Sequence, residues 1–392
     1  ANALAPYVAL LELFQNIAGL DGAASLLMAQ QGISQSVTAC SVLSSSMREA
    51  LGSGTEAEGP ALLERYYSLL EPALGFACSL AQHAGYHADI LKAVGTFARA
   101  HAVAVERAIF AATRPGEPEV KELRIITLAV RFVGVVVSEA ALEGKPMKDL
   151  SDALNSLCWH VLPLDRGYAN SKYVQACLPP APPRPYARAK EPEADRALAS
   201  ARSGLKAGVL ELRRELALSL YSRALKGARF PLFHNDPAMR SPNEQPSLYL
   251  LLLTIQQCMA QVQEALRGQQ AGGAPSLPQN RPPQNRSPET ATILEGLLLL
   301  IDTCLGTIRV SFESMIPADF REPGPKIKEA AFFFSSPQAN AVLRLSHLIV
   351  QALAGLTTYD SALLGFNVSP IADGASALTE YCTYFLNLRQ ES

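Results

Sequence analysis

Charge is scarce in this chain: Asp, Glu, Lys and Arg make up 18% of its 392 residues, against about a quarter in an ordinary soluble domain. The little there is nearly cancels, with 34 basic and 36 acidic side chains giving a net charge of −2. A polyelectrolyte partner such as DNA or RNA calls for a marked basic excess, so no nucleic acid is expected. Cysteine is sparse as well. Cys40, Cys78, Cys158, Cys177, Cys258, Cys304 and Cys382 stand singly, with no CxxC pair among them. An odd, dispersed set builds neither a disulfide framework nor a zinc ribbon, and it suits a reducing nuclear or cytosolic compartment. Long apolar runs are missing too. The run from Leu248 to Ile255 stops at Gln256-Gln257, and the one from Leu297 to Ile301 lies between Glu295 and Asp302. A membrane helix needs about 20 uninterrupted apolar residues, so no membrane span is expected and the chain reads as soluble. Ala1 to Leu20 contains no Lys or Arg and holds Glu12, so the basic start of a signal peptide is lacking. The chain opens on Ala rather than Met, as a fragment cut from a longer protein would.

Motifs that carry chemistry are lacking in the same way. The sequence has no GxGxxG after a strand, no phosphate-cradling GxxxxGK and no GxSxG elbow. Gly52-Ser53-Gly54 follows Leu51 as a turn, without the Lys a phosphate loop needs. His83 and His87 have metal-ligand spacing, but Ala84 stands where a zinc protease places its glutamate, and Gly85 falls between them. They read better as the end of a helix, where imidazole suits the dipole. His101, His160, His234 and His347 are lone residues beside apolar positions. The expectation is therefore no enzyme, no cofactor and no metal site.

What is abundant is Ala, Leu and helical spacing. The chain is 48% hydrophobic with a mean hydropathy of +0.10, which excludes wholesale disorder. Leu62, Leu63, Tyr66, Leu69, Leu70, Ala73 and Leu74 make a wide apolar stripe. Leu91, Val94, Phe97, Ala98, His101, Val105 and Ile109 make the next. Phe132 to Val137 is rich in valine, yet it sits in a turn-free run from Lys121 to Leu142, too long for a strand of typically 3–10 residues. It reads as a helix covered on both sides. The pattern predicts helices near 4–19, 22–31, 33–51, 60–83, 87–113, 117–143, 147–162, 165–177, 194–228, 246–268, 289–315, 337–357 and 370–389. Shorter pieces are expected near 325–334 and 359–366.

Long helices with short joins pack antiparallel, and pairs recurring every 40 or so residues are the spacing of HEAT and armadillo-like stacks. The expected fold is all-α: a right-handed superhelical solenoid of stacked antiparallel helix pairs, one continuous unit over 1–392. A compact irregular bundle is the alternative. Two breaks interrupt it, a Pro-rich connector at 178–193 and a Gln, Asn and Pro-rich stretch at 268–288 expected to be a disordered loop.

The segment from Arg184 to Arg229 concentrates basic residues. It is either a binding face for an acidic partner or a solvated helix surface, and the absence of interleaved aromatics favours the second. Aromatic clusters are mostly core anchors. Phe332, Phe333 and Phe334 cannot all enter one core from one helix, so a partner site is expected there. In the last helix, Leu378, Tyr381, Cys382, Phe385 and Leu388 share one stripe.

Three stretches carry a resemblance: Leu216–Leu225 (LALSLYSRAL) running on through Lys226 to Pro231, Ser247–Leu266 (SLYLLLLTIQQCMAQVQEAL), and the closing Ser376–Arg389 (SALTEYCTYFLNLR). The chain resembles the C-terminal tail of the large inner-ring α-helical scaffold nucleoporins, closer to the smaller of the two paralogues. The resemblance implies a HEAT/ARM-like superhelix in the nuclear pore complex at the nuclear envelope, holding linker nucleoporin segments and FG repeats in nucleocytoplasmic transport. The sequence has no Phe-Gly dipeptide of its own, so it would receive such repeats rather than supply them. Tyr381, Phe385, Phe332 and Phe333 are the candidate partner-binding residues. A HEAT-repeat nuclear transport receptor or adaptor is the alternative function.

Overall fold

The computed structural model describes residues 5–18, 59–83, 88–138, 145–163, 171–177, 192–231, 245–271, 288–315, 344, 347, 349–351 and 369–390. All regular structure among them is helical, with no strand, so the protein is all-α. The helices are α1 Ala5–Ala18, α2 Gly59–His83, α3 Ala88–Ala111, α4 Val120–Ser138, α5 Lys145–Val161, α6 Lys172–Cys177, α7 Pro192–Leu225, α8 Leu248–Ala271, α9 Pro288–Met315 and α10 Ser369–Gln390. The helices expected at 22–31, 33–51, 325–334 and 359–366 lie outside the described residues, as do 178–191 of the Pro-rich connector and 272–287 of the second break. The loop expected from 268 starts later than the sequence suggested, because α8 continues through 268–271 to Ala271.

Two compact units divide the chain. One comprises Ala1–Ala112 with Lys121–Leu154, the other Thr113–Val120 with Asn155–Ser392. In the first, α1 packs on α2. Leu11 and Ala18 are buried, the rings of Phe14 and Phe76 lie 5.7 Å apart, and the Gln15 side chain rests on Gly75 where any Cβ would collide with it. Of the stripe predicted on α2, Leu69, Leu70, Ala73 and Leu74 are buried, and Phe76 and Leu80 extend the core beyond it; the side chains of Leu62, Leu63 and Tyr66 lie outside the described set. Glu71 pairs with Arg124 at 2.8 Å, and the Cys78 thiol meets the Leu128 carbonyl at 3.9 Å. Both contacts advance in the same direction along the two helices, so α2 and α4 run parallel. The valine-rich segment of α4 is helical, as its length requires. Phe132, Val133 and Val136 are buried, and Val135 and Val137 half-buried. Phe132 meets Phe97 edge-on at 5.5 Å.

The helix expected from 117 begins at Val120. Pro118 bars Glu117 from helical backbone, and the Glu119 carbonyl accepts the Tyr173 hydroxyl at 3.4 Å.

In the second unit α9 is the hub, with α7, α8 and α10 packed against it, and α6 packs on α7. Leu294, Leu297, Leu298, Leu300, Ile301, Cys304, Leu305, Ile308 and Phe312 of α9 are all buried. Burying each large apolar side chain stabilises by about 1.5–3 kcal/mol. A Cβ on Gly296 would meet Leu210 at 2.6 Å, and one on Gly306 would meet the Tyr221 ring at 3.0 Å. Ten residues of α9 thus match eleven of α7 in the same direction, and these helices also run parallel. Its hydroxyls are absorbed by its own backbone: Thr303 donates to Leu299, Thr307 to Thr303 and Ser311 to Thr307, at 2.7–2.9 Å.

That internal satisfaction lets α9 be very apolar. By length and composition its Ala291–Ser314 stretch passes as a membrane crossing, but half of it is buried and three helices flank it. It is built as a core helix. In the sequence it is no unbroken apolar run, because Glu295, Asp302 and Arg309 interrupt it.

Helix ends follow their local chemistry. Ser247 caps α8, its hydroxyl accepting the Leu250 N–H at 3.3 Å. Past Leu225, Gly227 takes φ +86°. The Gly227 N–H donates to Ala224 and the Ala228 N–H to Arg223, each at 2.9 Å, a Schellman ending.

Candidate functional site

The expected partner residues divide between two cases. Tyr381 and Phe385 belong to α10, but their side chains lie outside the described set, and Phe332 and Phe333 lie outside the described residues altogether. The part of α10 that is described turns Ile371, Ala375 and Leu378 inward, and a Cβ on Gly374 would rest 3.6 Å from Leu305 of α9.

Among the described histidines, His83, His101 and His160 fall in three different helices, α2, α3 and α5. His101 is buried and stacks at 4.5 Å on Phe97, and His347 faces Gln351 at 2.9 Å. His83 closes α2, while His87 and His234 lie outside the described residues. No group of three or more His, Cys, Asp or Glu side chains gathers as metal ligands among the described residues.

The most unusual chemistry lies inside the second unit, where α7 carries two buried arginines. Arg213 is 1% exposed and Arg223 is 7% exposed. Their positions follow from the helix repeat. Val209, Arg213, Leu216, Leu220 and Arg223 advance by four, three, four and three residues, so both arginines occupy the inward apolar stripe. A buried guanidinium requires partners for its N–H groups, and each finds them near the end of α5.

Arg213 donates to the Leu162 carbonyl twice, from Nε at 2.9 Å and from Nη2 at 2.7 Å. Its Nη2 also meets the Cys258 Sγ at 3.7 Å. Leu162 lies just past α5, its own N–H still bonded to Cys158 at 3.1 Å, and Pro163 follows. Its carbonyl is therefore one of the acceptors a helix end leaves without an internal donor. The positive charge there also opposes the negative end of the helix dipole. Arg223 donates from Nη1 to the Asn155 Oδ1 at 2.8 Å and lies 5.7 Å over the Phe230 ring.

Thiols surround this pair. Cys158, Cys258 and Cys304 are buried, Cys177 is half-buried, and all four are free. Burial pushes the Cys158 thiol up to about 12, with Arg223 opposing only in part. Cys177 is pushed up to about 11 by burial, against Lys206 and Arg213. Cys258 and Cys304 are raised for the same reason, again opposed by Arg213. Desolvation also holds the Arg223 guanidinium below its usual value. The thiolate is the nucleophile and metal-binding form, so at neutral pH these groups stay protonated and pack as small apolar side chains. The arginines act as a clamp holding the end of α5 to α7.

The basic segment is thus split by the fold. Arg202, Lys206, Arg214, Lys226 and Arg229 are exposed, as a solvated helix surface requires, whereas Arg213 and Arg223 are core residues. Taking the segment as one charged surface misses the clamp. The three-four spacing was the signal that separates the two groups.

Compared with known protein families, with curated proteins and with solved structures, the chain shows no significant match to any.

Proposed function

We propose that this chain is a structural scaffold element of the nuclear pore complex. In that reading its helices stack as antiparallel pairs into a right-handed HEAT/ARM-like superhelix that holds linker nucleoporin segments and receives FG repeats. The observation that carries the reading is the direction of the helices. In each unit, helices two apart in the sequence, α2 with α4 and α7 with α9, touch and run parallel. An up-down succession of helix pairs has that property. Support also comes from where the resembling stretches fall. Leu216, Ala217, Leu220 and Ala224 of the first, and Leu248 to Leu252, Ile255, Cys258 and Val262 of the second, are mostly buried. They are the packing surfaces of α7 and α8, the feature that a family of helical stacks would share. Apolar grooves between such helices suit an amphipathic partner helix or isolated Phe side chains.

Co-purification from nuclear extract with the tagged full chain tests this. The expected result is recovery of other nucleoporins, followed by direct binding of a purified linker nucleoporin segment. Retention of GTP-loaded Ran with no nucleoporin bound would replace the scaffold with the transport-receptor reading. For the location of the groove, Tyr381→Asp and Phe385→Asp should abolish linker binding while circular dichroism stays unchanged. Undiminished binding by both variants moves the groove elsewhere.

A further inference from the structure

We draw no further inference here: the strongest candidate, the outward apolar face of α1 around Leu10 and Leu13, carries nothing because nothing in the structure shows what covers it.

Discussion

Arg213 and Leu162 are joined by two hydrogen bonds to a single oxygen, from Nε at 2.9 Å and Nη2 at 2.7 Å. One side chain of α7 thereby closes the open end of α5. A guanidinium fork can do this because its donors lie in one rigid plane; a lysine ammonium has no such geometry. The burial of the charge is unfavourable by itself, and it is offset only while the acceptor, the dipole and the packing act together.

The first prediction concerns that clamp. Arg213→Met keeps the volume and relieves the desolvation of the charge, but it leaves the Leu162 carbonyl buried without these donors, a loss of about 1–3 kcal/mol. Arg213→Ala adds a cavity and should lose more. Arg213→Lys should resemble the Met variant despite its charge. The chain's one tryptophan, Trp159, is 3% exposed in α5, so its fluorescence during urea unfolding reads this region directly. A parent-like urea midpoint for Arg213→Met would show that water solvates Leu162 and that the clamp contributes nothing.

Much of the fold could be read from the sequence because helix periodicity is a local property. The part of the α2 stripe from Leu69 to Leu74 and the valine-rich α4 follow from spacing alone, and the ends of α1, α2 and α9 fall within a residue or so of expectation. The clamp was harder to read. Its arginines sit in register with apolar neighbours, but an arginine on an apolar stripe is either buried or reaching outward until its acceptor is known. Here the acceptor is a backbone carbonyl 51 residues away, which no local pattern encodes.

Thiol reactivity gives a second prediction. In the native protein at pH 8, iodoacetamide followed by peptide mass mapping should leave Cys158, Cys258 and Cys304 unlabelled, since each is buried and protonated. Cys177 is partly exposed with its thiol near 11, so it should label slowly, about tenfold faster for each pH unit gained from 7 to 9. In urea all four should react at the rate of ordinary thiols. Rapid native labelling of Cys158 or Cys304 would contradict the packing around Arg213.

Glycine substitutions on α7 and α9 should move stability in opposite directions. Gly204 has nothing within 4 Å of a would-be Cβ, so Gly204→Ala should stabilise by about 0.5–1 kcal/mol through helix propensity. At Gly306 the same methyl meets the Tyr221 ring at 3.0 Å, and a ring yields less easily than an alkyl end. Gly306→Ala should therefore lose stability despite the propensity gain. Gly227→Ala should lose about 1–2 kcal/mol, because its φ of +86° is strained for a residue with a Cβ. Chemical denaturation of the three variants checks the ordering; stabilisation by Gly306→Ala would mean that α7 and α9 are less closely packed there.

The last prediction is a pH dependence. Half-buried Asp302 on α9 has its carboxyl raised above the usual value by desolvation, with Arg309 opposing to a smaller extent. The folded state therefore holds this proton to higher pH than the unfolded chain does. Between the two pKa values the folded state binds more protons, so the contribution of this group to stability falls as pH rises and levels off above the folded pKa. Asp302→Asn removes the ionisation and the penalty with it. Its melting temperature should match the parent's in acid, below the ordinary carboxylate range, and exceed it by a constant margin at neutral pH. If the Asn variant is instead the less stable protein at pH 7, then the attraction to Arg309 outweighs desolvation, and α9 carries a stabilising ion pair at that position.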